Sequence, residues 1–154
     1  MGFDFLMHEK TIVKFLKNGE FLDLKLGLSK EAIIKIFSLP DLTNVFKSGQ
    51  EIWLYQDLQL TFQEGTLFAY KFEPFPKHPY LNFFTSDFFQ QHLMEKKDVI
   101  LLLDKKSIRW DECAFFTYDE RFTILTEGNV LLYYTDDVLG RIAVTKDYTL
   151  KETN

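Results

Sequence analysis

The side chains best suited to chemistry in this sequence are one cysteine, Cys113, and three histidines, His8, His78 and His92. Cys113 directly follows two acidic residues. Because negative neighbours disfavour the thiolate, which is the nucleophilic form of cysteine, we interpret Cys113 as a small residue of a strand. None of the histidines lies in an H-E-x-x-H pattern or beside a C-x-x-C pair, so we predict no metal site.

Other patterns that bind cofactors or perform catalysis are also missing from the sequence. It contains no G-x-x-x-x-G-K-[ST] or G-x-G-x-x-G to hold phosphate, and no G-x-S-x-G around a serine. The adjacent acids Asp119-Glu120 and Asp136-Asp137 lie at predicted turns, where they lack the burial that separates two carboxyl pKa values for acid–base work. We therefore predict no catalytic residue and no cofactor, and we keep an enzyme with an unrecognised site as an alternative.

Negative charge is concentrated in one segment of the chain. Between Asp111 and Asp137, seven acids accompany a single base, Arg121, so this segment has a charge of −6 within a total of −5. A field of this sign repels nucleic acid and attracts a basic protein. We therefore predict a protein partner and no nucleic-acid partner.

The acids that we expect to contact this partner lie at predicted turns and strand ends. They are Asp119, Glu120, Glu127, Asp136 and Asp137. The alternative is that these acids only keep two hairpins solvated. In that case we expect the contact to be made by three aromatic residues of a connecting segment, which are Tyr80, Phe83 and Phe84.

Hydrophobic spacing and capping residues predict three helices, at residues 4–18, 29–39 and 86–97. Ser29 and Ser86 are suitable N-caps for the second and third of them. Alternation with a period of two predicts strands elsewhere. These strands are expected at residues 22–26, 52–55, 58–62, 67–72, 99–103, 107–110, 114–118, 121–125, 130–134 and 139–144. The elements predict an α+β protein in which antiparallel β hairpins form one curved sheet or two related sheets, with three helices packed on one face.

A chain of 154 residues fits one domain, spanning residues 1–154. A shift of 72 residues places the alternating pattern of residues 52–72 on that of residues 124–144, with Ile52 on Ile124. The domain could therefore consist of two pseudo-repeated halves, residues 1–73 and 85–154, joined by a proline-rich connector at residues 74–84. Any two alternating hairpins would match in this way, so a fortuitous match is the alternative.

The sequence also favours a cytoplasmic location. Its longest aliphatic run, at residues 99–103, is far shorter than the ~20 residues that a membrane-spanning helix needs. No basic region precedes an apolar stretch at the N-terminus, so we expect no signal peptide. A single cysteine allows no internal disulfide, which is typical of a reducing compartment. We expect no membrane partner.

Two stretches of the sequence carry a family resemblance. The stretches LGLSKEAIIKIFSLPD at residues 26–41 and LYQDLQLTF at residues 54–62 resemble a helix-then-strand pattern of known proteins. That pattern is typical of the immunity proteins of bacterial polymorphic-toxin and contact-dependent growth inhibition systems. Gln56 stands where the pattern has glycine, and the resemblance covers roughly residues 24–72.

The resemblance implies a cytoplasmic protein that binds and neutralises a cognate toxin and needs no cofactor. Because such proteins are often acidic when the toxin is a basic nuclease, we expect this chain to block the active site of a basic nuclease domain. The first alternative is a non-catalytic scaffold or assembly module for an endogenous protein partner. The second alternative is the enzyme with an unrecognised site.

Overall fold

The structure is a computed structural model that describes the backbone of residues 2–73 and 86–150, with side chains from residue 8 onwards. The predicted connector at residues 74–84 lies outside the described residues. The same is true of His78 and of the alternative contact residues Tyr80, Phe83 and Phe84.

The described chain forms four α-helices, eight β-strands and one short 3-10 helix. The helices are α1 Gly2–Asn18, α2 Lys30–Phe37, α3 Asp87–His92 and α4 Lys96–Lys105, and the 3-10 helix is Ala114–Phe116. The strands of the first half are β1 Leu42–Val45, β2 Glu51–Tyr55, β3 Leu58–Gln63 and β4 Thr66–Phe72. Those of the second half are β5 Trp110–Glu112, β6 Arg121–Thr126, β7 Val130–Thr135 and β8 Val138–Thr145.

All eight strands join in one antiparallel sheet in the order β1-β2-β3-β4-β8-β7-β6-β5. Each half contributes four strands that follow one another, and the halves meet where β4 pairs with β8. The predicted α+β class with antiparallel hairpins is therefore confirmed, and of the two predicted arrangements, one sheet or two related sheets, the structure has one sheet.

The predicted N-caps also form. Ser29 accepts a hydrogen bond from the amide of Ala32 at 3.2 Å, and Ser86 accepts one from Phe89 at 3.3 Å. Each serine satisfies one of the amides that a helix start leaves without an intrahelical partner.

Several predicted strands are wrong. The run at residues 99–103 belongs to α4, where Val99, Leu102 and Leu103 are buried and Leu101 is 67% exposed. This spacing places one face of a helix against the core, whereas a strand would have buried alternate residues. Residues 22–26 form no strand, because Phe21 and Leu24 close a tight turn on each other.

The remaining errors lie at the edges of the sheet. Strand β5 begins at Trp110, so the strand predicted at residues 107–110 is displaced, and the one predicted at residues 114–118 contains the 3-10 helix. Strand β1 was not predicted, because all four of its residues are exposed and show no alternation. It forms through pairing with β2, in the register that joins Leu42 to Leu54.

One continuous hydrophobic core contains residues of both halves and of all four helices. Two tyrosine hydroxyls of this core donate to backbone carbonyls at helix ends: that of Tyr70 to Gly19 at 2.8 Å, and that of Tyr134 to Leu93 at 2.6 Å. Burial raises the pKa of both tyrosines well above its ordinary value, so both hydroxyls stay protonated donors. These bonds fix the ends of α1 and α3 to the sheet.

The strand register of the first half recurs in the second after a shift of 72 residues. The β3–β4 pairs run from Gln59–Lys71 to Gln63–Thr66, and every pair has its counterpart 72 residues later in β7–β8. The register shift between Thr61 and Phe62 has its counterpart between Tyr133 and Tyr134. At the centre of the sheet Lys71 pairs with Ala143, which is the residue of the second half that corresponds to Lys71.

The correspondence changes by one residue at the preceding strand. Leu60 and Leu132 are counterparts under the 72-residue shift. Leu60 pairs with Trp53, and Leu132 pairs with Ile124, so Trp53 and not Ile52 occupies the position of Ile124. The reason is a longer loop: three residues join β6 to β7, whereas two join β2 to β3. The gapless match that the sequence indicates is therefore wrong at β2.

Candidate functional site

The structure brings four of the five predicted contact residues together at one end of the sheet. Asp119 and Glu120 precede β6, and Asp136 and Asp137 form the turn between β7 and β8. The amide of Asp136 donates to the carbonyl of Glu120 at 3.0 Å, which ties the two turns to each other. All four residues are exposed. We call these four residues the acidic surface.

The backbone conformation of these turns favours aspartate at three positions. Asp119, Asp136 and Asp137 have φ angles of 53°, 51° and 66°. Aspartate tolerates this left-handed region better than most residues. Two successive residues with positive φ form the tight turn that suits a hairpin, as Glu64 and Gly65 do at the corresponding turn of the first half.

The acids of this surface differ in their partners. Asp137 forms an ion pair with Lys96 at 3.2 Å, and the Lys96 ammonium also lies 4.7 Å from the centre of the Phe122 ring. In the part of the chain that the structure describes, Asp119, Glu120 and Asp136 have no cation within 4.0 Å. Three carboxylates are therefore available to a cation from outside the described chain.

Glu127, the fifth predicted residue, lies at the opposite end of β6, away from the acidic surface. Its carboxylate accepts a hydrogen bond from the amide of Arg109 at 3.0 Å and lies 3.8 Å from the Arg109 side chain. Its amide also donates to the Arg109 carbonyl at 2.9 Å. With its side chain only 19% exposed, Glu127 holds the loop before β5 against the β6–β7 loop.

Two exposed aromatic residues lie on the segment that leads to the acidic surface. Phe115 is 73% exposed, and Tyr118 is 50% exposed. Tyr118 is held by Arg121, whose guanidinium lies 5.3 Å from the ring centre and donates to the hydroxyl at 2.7 Å. Sequence reasoning missed both residues, because segment 114–118 reads as a strand whose aromatic side chains would be partly buried.

Cys113, His8 and His92 are not part of this surface. Cys113 is buried with Leu125 and Leu131 in a second, smaller hydrophobic cluster. His8 and His92 are half-buried, and the His92 ring lies 4.5 Å from that of Phe88. Among the described residues, no group of three or more His, Cys, Asp and Glu side chains is arranged to hold a metal ion.

Comparison with models of protein families, with curated proteins and with solved structures finds no match to this chain. Within residues 2–73 and 86–150, no helix has both the length and the apolar character that crossing a bilayer requires.

Proposed function

We propose that this protein is a cytoplasmic immunity protein that binds a basic toxin domain and blocks its active site. The observation that carries the proposal is the acidic surface, with three carboxylates that lack a cation in the described chain. A nuclease binds its substrate through basic residues, and a surface of opposite sign can cover those residues in place of nucleic acid.

In this proposal the exposed aromatic residues supply the binding affinity that the charged residues do not. Charged groups at the edge of an interface mainly speed association, whereas buried aromatic side chains contribute most of the affinity. Phe115 and Tyr118 are candidates for these anchors, and Arg121 already restricts the Tyr118 ring. A restricted ring loses little conformational entropy on binding.

In this proposal the partner binds the face of the sheet that is opposite to the helices. Tyr134 and Ile142 belong to the core that includes the helices, whereas Tyr133 and Ala143, their neighbours along the strands, belong to the second cluster. Successive residues of a strand point to opposite faces. The sheet face that carries the second cluster is therefore the one we assign to the partner, together with the acidic surface at its end.

Co-expression with a toxin domain tests the proposal. The domain to use is the variable C-terminal domain of a large secreted protein encoded immediately upstream, where the genome has one. We expect the two chains to co-purify and the domain's toxicity to disappear. Co-purification with an endogenous protein instead would favour a scaffold or assembly module.

Neutralising the acidic surface is expected to slow association with the toxin domain about tenfold at low salt. The variant is Asp119→Asn, Glu120→Gln and Asp136→Asn, in which asparagine keeps the tolerance for positive φ. Because salt screens the field, the difference from the wild type is expected to vanish at high ionic strength. Stopped-flow association rates at several salt concentrations provide the measurement.

A matched control removes three acids elsewhere: Asp23→Asn, Glu31→Gln and Glu64→Gln. All three are exposed residues of the first half, and Glu64 occupies the turn position that corresponds to Asp136. The two variants have the same net charge. Equal association rates for them would show that total charge, and not the acidic surface, governs binding, and would contradict the proposal.

We also propose that the protein acts by binding and not by catalysis. Replacing Cys113 with Ser and His8, His78 and His92 with Asn in one variant is therefore expected to leave neutralisation of the toxin intact. Circular dichroism verifies that the variant is folded, and growth of toxin-expressing cells measures its activity. Loss of protection by a folded variant would favour the alternative of an enzyme.

A further inference from the structure

Two arginines share a cleft at the partner-facing side of the sheet. A cavity of about 230 Å³ is lined by Arg121, Tyr133, Thr135, Gly140 and Arg141. An adjoining cavity of about 220 Å³ shares Arg121, Tyr133, Thr135 and Arg141 with it. No carboxylate lines either cavity. We call this feature the arginine cleft.

The strand register places both arginines on the same face. Arg121 of β6 pairs with Thr135 of β7, and Arg141 of β8 pairs with Tyr133 of β7. Paired residues of neighbouring strands point to the same side of a sheet, and so do residues two apart on one strand. The two guanidinium groups therefore approach the cleft from the strands on either side of β7.

The cleft contains two guanidinium groups, of which that of Arg121 also donates to the Tyr118 hydroxyl at 2.7 Å. Neither Arg121 nor Arg141 has a carboxylate within 4.0 Å in the part of the chain described. Burial raises the pKa of Tyr133 to about 12, so its hydroxyl remains a donor at neutral pH. Such an arrangement suits a planar oxyanion, which two guanidinium groups can bind with paired hydrogen bonds.

The corresponding position of the first half has no such cleft. The register places Ala69 at the position of Arg141, and extending the β2–β3 ladder by one residue beyond Glu51 places Gln50 at that of Arg121. At the register shift, Phe68 occupies the position of Gly140, whose missing side chain leaves the cleft open. The fold can thus be built without the cleft, so its arginines are not required by the shared strand architecture.

We propose that the arginine cleft binds a carboxylate of the protein partner, either an Asp or Glu side chain or a C-terminus. This inference rests on the proposed function, in which the partner is a protein. The adjacent acids, Glu120 and Asp136, weaken the binding of a free anion but attract basic residues that flank a carboxylate on a protein surface. A carboxylate within a basic surface therefore matches the charges of the cleft and of its edge.

Arginine side-chain NMR tests the inference, because the chain has three arginines and the third provides an internal control. Sodium acetate is titrated into the labelled protein at constant ionic strength. We expect saturable shifts of the Nε–H signals of Arg121 and Arg141 and no shift of Arg109, which faces Glu127. Linear shifts of all three signals, or saturation by inorganic phosphate at lower concentration than by acetate, would overturn the proposal.

Two variants connect the cleft to partner binding. Arg121→Gln with Arg141→Gln is expected to abolish acetate binding and to raise the dissociation rate of the toxin complex by at least tenfold. Its association rate should not fall, because removing two positive charges beside the acidic surface strengthens the negative field that attracts a basic partner. The control, Lys25→Gln with Lys146→Gln, removes the same charge at exposed positions and should leave the dissociation rate unchanged. An equal increase in the dissociation rate in both variants would overturn the proposal.

The two proposals fail in different ways. If the acidic-surface variant associates as fast as the wild type while acetate still saturates the cleft, the proposed function fails and the cleft's chemistry stands. If acetate does not saturate the cleft while the acidic-surface variant still slows association, only the cleft assignment fails.

Arg121→Lys with Arg141→Lys keeps both charges, and we expect it to lose saturable acetate binding because lysine lacks the planar pair of donors.

Discussion

Replacing Gly128 with alanine is expected to lower the free energy of unfolding by about 3 kcal/mol, which corresponds to a fall in Tm of roughly 9 °C for a chain of this size. Gly128 lies in the loop between β6 and β7, where the end of α1 packs against it. A Cβ atom on Gly128 would lie 2.6 Å from the amide nitrogen of Gly19 and 2.8 Å from the carbonyl oxygen of Leu16. Both distances are well inside van der Waals contact.

The neighbours of Gly128 are backbone atoms, so the clash cannot be relieved by rotating a side chain. Relief requires α1 to move away from the loop. That movement would strain the hydrogen bond from the Tyr70 hydroxyl to the Gly19 carbonyl. It would also disturb the bonds that Thr126 accepts from the amides of Gly128 and Val130, both at 3.3 Å.

Gly140→Ala is the matched control for this substitution. A Cβ atom on Gly140 would find nothing nearer than the Tyr133 carbonyl oxygen at 3.9 Å. We expect its free energy of unfolding to change by less than about 1 kcal/mol. Urea denaturation of the two variants decides the matter, and similar midpoints with an unchanged m-value would contradict the close approach of α1 to the loop.

The hairpins of this fold were the most predictable part, because short-range signals specify them. Glu64 and Gly65 form a turn with positive φ between β3 and β4, and the alternating residues on either side predict both strands to within one residue. The run at residues 99–103 was mistaken for a strand, because a short aliphatic run fits a buried strand or one face of a helix equally well. Burial of Val99, Leu102 and Leu103 settles the choice, and burial is a tertiary property.

The candidate site was predictable only in part, for a related reason. The turn composition places Asp136 and Asp137 outward without further information. Joining them to Glu120, and separating Glu127 from them, depends on the register and length of β6. The arginine cleft depends on pairing three strands across the register shift at β8, which no local pattern of the sequence specifies.

The strand register that the two halves share bears on their origin. We propose that the two halves descend from one duplicated unit of two helices and four strands. Besides the strand pairs, the residue before each second helix bridges to the start of the last strand: Ser29 to Thr66, and Glu95 to Val138. In homologous sequences, the 72-residue shift should align the turn and register-shift positions of both halves. Independent variation of these lengths would argue against duplication.

Replacing Phe72 with alanine is expected to lower the free energy of unfolding by about 4 kcal/mol. Phe72 is 1% exposed and lies on β4, where the halves of the sheet meet and where it pairs with Ile142. Its ring centre lies 6.0 Å from that of Phe15 and 6.5 Å from that of Phe21. Removing the ring leaves a cavity among rigid aromatic neighbours that cannot collapse to fill it.

The second half provides the comparison for Phe72. Val144 occupies the corresponding position on β8 and is also 1% exposed, but its side chain is smaller, so Val144→Ala is expected to cost about 2 kcal/mol. Phe72→Leu keeps most of the volume and is expected to cost about 1 kcal/mol. Urea denaturation should therefore rank the variants with Phe72→Ala least stable and Phe72→Leu closest to the wild type. If Phe72→Ala were no less stable than Val144→Ala, this would contradict the expected contribution of the aromatic packing at the junction of the halves to the free energy of unfolding.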